Sequence, residues 1–184
     1  MRRKISRFLI IVGLSLIIIP QGLKLYSKQV EKNSVENFKQ EINKDESKVY
    51  KSFKSGDEIA IMKIESVGLE TVIVEGTDDK YLKHYACHFE GTSMPGKNGN
   101  FCVAGHSGYL YNQVFNELHK VKIGNQIEIE TLEGVFNYKI TEIFDTEAEN
   151  TSVLSQDMSK TEITLVTCTD AGKKRFIVKG EILE

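Results

Sequence analysis

Thr164-Leu165-Val166-Thr167-Cys168-Thr169-Asp170-Ala171-Gly172-Lys173-Lys174-Arg175-Phe176-Ile177-Val178 sets two runs rich in Val, Ile, Thr and Phe around a short polar segment containing Ala-Gly. That pattern predicts a β-hairpin. If it closes symmetrically, Cys168 ends the first strand opposite Arg175, which opens the second. Opposed residues of an antiparallel pair share a face, with Cβ atoms about 4.5–5.5 Å apart. Alternation along each strand then groups Val166, Cys168, Arg175 and Ile177 on one side. A fixed positive charge beside a thiol favours the thiolate, its nucleophilic form. On this stretch alone, a half-buried strand Cys next to a surface Arg reads equally well.

A second stretch separates the two readings. Asn100-Phe101-Cys102-Val103-Ala104-Gly105-His106 is an apolar strand that ends in Gly-His where a loop begins. A histidine at one strand end, with a Cys and an Arg at another, is the set that activated-nucleophile chemistry needs. At this point the chain resembles the sortases, a family of cell-wall cysteine transpeptidases. The resemblance is carried by Ala104-Gly105-His106, by Thr164-Leu165-Val166-Thr167-Cys168 and by Arg175. It is extended by Met62–Leu69, by Val74-Glu75-Gly76-Thr77 and by the run from Gly91-Thr92 to Gly99-Asn100. Together these cover about residues 57–184 in order.

At 184 residues with 40% hydrophobic content, the chain can bury one core and hardly two. The net charge of −2 and the absence of a basic stripe in the globular part argue against nucleic-acid binding. The basic residues that matter come first: Arg2, Arg3, Lys4 and Arg7 precede an apolar run from Phe8 to Ile19, which Pro20, Gly22, Leu23 and Leu25 extend. Spanning a bilayer takes about 20 residues, so the run is close to that length. Pro20-Gln21-Gly22-Leu23-Lys24 has no A-x-A cleavage pattern, which predicts an uncleaved anchor. The basic cluster predicts a cytoplasmic N-terminus and an outside globular part, with membrane lipid as a partner.

Three domains follow. Residues 1–25 are basic tail and transmembrane anchor, 26–56 a polar and partly helical stalk, and 57–184 a barrel. In the stalk, Val35, Phe38, Ile42 and Val49 fall at helical spacing, but Asp45 occupies a position that a coiled-coil seam would need apolar. A spacer helix or flexible stalk is expected. From Asp57 onward, strands are predicted at Ile59–Ile64, Val72–Val74, Phe101–Ala104, Gln126–Glu130, Val135–Ile143, Ile163–Thr167 and Phe176–Ile182. One short helix is predicted at Tyr111–Leu118. Many short strands with few helices predict an all-β fold, a closed or nearly closed β-barrel; the resemblance implies the eight-stranded sortase type.

Cysteine usage fits a surface protein that does not depend on disulfides. An odd count of three leaves at least one thiol free. Cys87 and Cys102 stand among core-like neighbours and read as small apolar residues, a bridge between them being the alternative. His84-Tyr85-Ala86-Cys87-His88 lacks the spacing and the further ligand of a zinc site. The loop Glu90–Gly99 holds one carboxylate, and Glu147 and Glu149 in a later loop add too little for calcium. No metal and no cofactor is expected.

The resemblance implies the chemistry. Cys168 is the nucleophile, His106 the acid and base, and Arg175 a donor to the oxyanion or to substrate backbone, since a guanidinium cannot act as a base. Ala104, Val166 and Ile177 match substrate-contacting positions of the family. Thr167 alternates to the other face, so it would reach substrate only through backbone or local twist. The implied partners are an LPXTG-like sorting signal and a cell-wall amine. Pilin-polymerising types carry a lid with an aromatic anchor and a second span; this chain has no Trp and no apolar run near Glu184. A class A-like or class D-like enzyme is expected, with D favoured. A hydrolase on the same barrel and a non-catalytic barrel binding wall peptides are the rival functions.

Overall fold

The structure is a computed structural model that describes residues 2–43, 52–107, 114–169 and 172–183, with side chains from Ile5 onward. A long helix, α1 (Arg2–Ile42), precedes strands β1 (Glu58–Ile64) and β2 (Leu69–Glu75). A four-residue helix, α2 (Asp79–Leu82), leads into β3 (Ala86–His88) and β4 (Gly99–Ala104). Strands β5 (Gln126–Thr131), β6 (Gly134–Glu147), β7 (Thr161–Thr169) and β8 (Lys174–Ile182) complete the chain. The eight strands close into a barrel in the order β1-β2-β3-β4-β7-β8-β6-β5. The predicted all-β barrel is present, and closure leaves no unpaired edge.

Alternation along the strands sorts side chains into barrel and surroundings. Met62, Ile73, Phe101, Val103, Ile129, Tyr138, Leu165 and Val178 belong to the buried core. The residues between them face outward and form two smaller clusters. One joins Val35 and Phe38 of α1 to Ile61, Val72 and Val74; the other joins Val153, Val166 and Ile177, with Phe89, Phe144 and Leu154 packed against it. The second cluster is the floor that the hairpin pattern predicted beneath Cys168 and Arg175.

Pairing directions put the β4, β7 and β6 C-termini at one end of the barrel, together with the start of β8. Ala104 pairs with Val166, Cys168 with Arg175, and Glu147 with Lys174. β3 enters at that same end, because Cys87 pairs antiparallel with Ala104. The opposite end carries Glu75, His88 and the β5–β6 turn.

The helix expected at Tyr111–Leu118 is corrected. Residues 111–113 lie outside the described residues, 114–117 form a turn, and the helical piece is a single 3₁₀ turn at Leu118–Lys120. Tertiary bonds override local propensity there: the Phe115 N–H donates 3.1 Å to the His106 carbonyl. Phe115 and Leu118 are buried in the barrel core. The predicted strands are all present, and β6 runs on to Glu147 because its polar end pairs with β8.

Candidate active site

Strands β7 and β8 hold the first two candidate residues in the predicted register, Cys168 opposite Arg175 and Val166 opposite Ile177. Cys168 is a free, half-buried thiol. Arg175 is half-buried, and its Nη1 donates to the carbonyls of Gly172 (2.9 Å) and Lys174 (3.1 Å). The guanidinium therefore braces the hairpin on its own side of the turn. Sequence spacing gave the register of this pair but not that brace.

His106 comes from the neighbouring strand. β4 runs parallel to β7 and ends at Ala104, two residues before the histidine. Three hydrogen bonds continue the ladder along this exit. The Gly105 N–H donates 3.1 Å to the Val166 carbonyl, Thr167 Oγ1 donates 2.7 Å to the Gly105 carbonyl, and Ser107 Oγ donates to the Cys168 carbonyl. Residues 105–107 are thus stitched to residues 166–168, and His106, half-buried, leaves the barrel beside the Cys168 strand end. Gly105 is required for a packing reason. A Cβ there would lie 2.5 Å from the Phe115 ring.

The four residues expected to contact substrate divide by environment. Val166 and Ile177 form the outer floor, and Ala104, half-buried, sits beside Val166. Thr167 is buried with its hydroxyl committed to Gly105, so its side chain positions the His106 exit. Above the floor, the segment Thr151–Leu154 supplies Val153 and Leu154 as a wall.

That wall is tied down by two amides. Asn100 Nδ2 donates to the carbonyls of Val153 (3.1 Å) and Ser155 (3.3 Å), while its Oδ1 accepts 2.8 Å from Thr164 Oγ1. Gln156 Nε2 donates 3.0 Å to the Asn100 carbonyl, and its Oε1 accepts from the Asn100 N–H at 2.9 Å and Ser93 Oγ at 3.0 Å. Sequence reading missed Ser107, Asn100 and Gln156. Their partners lie about 60 positions away, and no local pattern marks them.

The other thiols are removed from this site. Cys87 and Cys102 are enclosed and free, and burial pushes both up to about 12. The expected outcome is that iodoacetamide alkylates the folded protein at Cys168 alone, as peptide mapping checks. Cys87→Ala and Cys102→Ala each cost about 1 kcal/mol in denaturant unfolding, as loss of a small core group does.

The histidines read as a metal question have structural partners. His84 Nδ1 lies 3.2 Å from Ser27 Oγ of α1, and His88 is buried between Glu75 Oε2 (2.7 Å) and Thr92 Oγ1 (2.8 Å). Among the described residues, no group of three or more His, Cys, Asp or Glu is placed to hold a metal ion. A cleft of about 600 Å³ lined by Phe53, Met94, Glu75 and His88 opens at the barrel end away from Cys168. The candidate chemistry is at the other end.

The Sortase domain family model matches residues 62–183. Sortase D of Bacillus subtilis is 28% identical over 74% of this chain and 71% of its own length. Sortase A of Listeria monocytogenes is 25% identical over 99% of this chain and 91% of its own length. The solved structure of a Clostridium perfringens sortase D5 transpeptidase superposes with a TM-score of 0.78 at 43% identity, covering 85% of this chain and 99% of that one.

Proposed function

Because the chain belongs to the sortase family of cysteine transpeptidases, we propose that it is a membrane-anchored sortase that cleaves an LPXTG-like signal and transfers the acyl group to a cell-wall amine. The observation that carries this reading is the convergence of two strand ends. Cys168 and Arg175 are paired across β7 and β8, and residues 105–107 are stitched to the same strand end. The anchor reading is supported by α1, whose N-terminal half is long and apolar enough to cross a membrane and is exposed along its length. The three-part division at residues 25 and 56 belongs to the same proposal, with the basic N-terminus cytoplasmic and the barrel outside.

In the proposed reaction the Cys168 thiolate attacks the carbonyl carbon of the Thr-Gly bond and forms a tetrahedral oxyanion. Arg175 donates to that oxyanion or to the substrate backbone. Collapse breaks the carbon–nitrogen bond, and the His106 imidazolium protonates the leaving amine. The acyl group stays on sulfur as a thioester. An incoming amine then attacks it, His106 takes the proton from nitrogen, and the thiolate leaves as the new amide forms. Val166 and Ala104 supply apolar surface on which the side chains before the scissile bond can rest, with Ile177 fully enclosed beneath them as support. Likeness to both named sortase D proteins supports a class D-like enzyme.

Mass spectrometry of products from a panel of sorting-signal peptides, with and without added amines, tests the proposal. The expected result is amide product in which the peptide's N-terminal part is joined to the amine. Hydrolysed product alone with every amine would favour the hydrolase. No cleavage by folded protein would favour a binding module.

A further inference from the structure

The anchor reading leaves open how the barrel is held at the bilayer, and α1 answers it. The helix runs through Pro20, which has no N–H to give to the Leu16 carbonyl, and ends only at Ile42. Leu25, the last residue of the apolar run, is exposed. Two residues later Ser27 is buried, with its hydroxyl on His84. Two helical residues advance about 3 Å, while each headgroup layer is about 5–7 Å deep. The barrel therefore meets the helix within the headgroup layer, and no free spacer separates span from enzyme.

The rest of the helix fixes that contact. Ser34 Oγ lies 3.3 Å from the Tyr85 hydroxyl, Val35 and Phe38 bury against Ile61, Val72 and Val74, and Lys39 Nζ reaches Glu70 Oε1 at 2.5 Å. The part of the barrel that touches α1 closest to the span is the segment from α2 to His84, at residues 79–84. That segment carries Lys83, and Lys80, whose ammonium lies over the Tyr81 ring and 3.5 Å from Asp78. β3 follows at once, and its Cys87 is registered against Ala104. His84, which meets Ser27, thus stands two residues before the strand that starts at the barrel end from which His106 leaves, while Tyr81 of the same segment reaches back to the Ser55 carbonyl at 3.3 Å.

We propose that α1 is a strut rather than a tether: it seats the 79–84 rim on the phosphate-bearing headgroups of the bilayer and opens the Cys168 site at the membrane surface. Lysines at that depth keep their stems along the apolar boundary and their ammonium groups on lipid phosphate. The inference rests on the anchor reading but goes further, since a flexible stalk would satisfy an anchor equally well.

The test uses the full chain in phospholipid vesicles whose lipids carry a headgroup-level quencher. A fluorophore is attached to Cys168 in the natural sequence, or to Lys83→Cys or Glu133→Cys in a Cys168→Ala background; the last site lies on the β5–β6 turn at the far end of the barrel. Quenching several-fold stronger at positions 83 and 168 than at position 133 is expected. Val35→Asp combined with Phe38→Asp should erase the difference while the protein still floats with the vesicles. Equal quenching at all three positions, or a difference that survives the double substitution, overturns the strut and leaves the anchor standing. Failure of the natural chain to float overturns both.

Discussion

Cys168→Ala is expected to reduce acyl transfer to the uncatalysed level while leaving the barrel folded. The side chain stands at the rim of β7 on the outer face, above Val166, and contributes little to the buried core. Removing its sulfur takes away the atom that the proposed mechanism uses to carry the acyl group. No substitute is at hand among the other thiols, because Cys87 and Cys102 are fully enclosed and burial pushes both up to about 12. A water molecule in the vacated position would have to attack the peptide bond without nucleophilic help, the step that covalent catalysis divides in two. Initial transpeptidation rates of the folded variants check this, with circular dichroism confirming the fold. Activity retained in Cys168→Ala but lost in Cys102→Ala would reassign the nucleophile.

Arg175→Lys carries the next largest effect, a loss of roughly 10²–10³ in kcat/KM, the scale on which a single oxyanion donor matters. The charge is kept, so a purely electrostatic role would survive. The planar fork is what disappears. Arg175 Nη1 bridges the carbonyls of Gly172 and Lys174, and the proposed mechanism assigns its remaining N–H groups to substrate. A lysine ammonium cannot brace the turn and donate outward with fixed geometry at once. If the donation is to the oxyanion, kcat falls and KM holds; if to the substrate backbone in the ground state, KM rises. His106→Ala should be comparably severe, since the leaving amine then lacks its acid, and its loss should fall in kcat.

The hairpin was legible because its information is local. Counting outward from Ala171-Gly172 gives the Cys168–Arg175 pair, and alternation gives the Val166 and Ile177 floor; the pairing in the barrel follows that register. Closure into eight strands was legible from the spacing of short apolar runs together with the family resemblance. β3 was too short to announce itself, since three residues carry no periodicity. The segment after Tyr111 has an amphipathic pattern, but its described part, residues 114–117, is held as a turn by the bond from Phe115 to the His106 carbonyl.

Of the stripe Val35, Phe38, Ile42 and Val49, the first three lie on α1 and Val49 lies outside the described residues; the spacing could not say what the stripe would cover. A stripe at that spacing suits a partner helix or a sheet, and here Ile61, Val72 and Val74 complete it. Polar organisation was the least legible. Gln156 joins Ser93 and Asn100 across the fold, and Ser107 reaches the Cys168 carbonyl, through side chains that look unremarkable in sequence. Long-range hydrogen bonds leave no periodic trace. They emerge only when the barrel brings distant strand ends together.

The central claim is that the acyl group passes through sulfur on Cys168. The most direct measurement is peptide mapping by mass spectrometry of the full-length protein mixed with a sorting-signal peptide and no amine, then quenched in acid early in turnover. The account predicts the peptide's N-terminal acyl mass on Cys168, diminished when an amine is added before the quench, with at least the lost amount appearing as amide product. An acyl mass on any other residue, or undiminished amide formation after complete alkylation of Cys168, would contradict it.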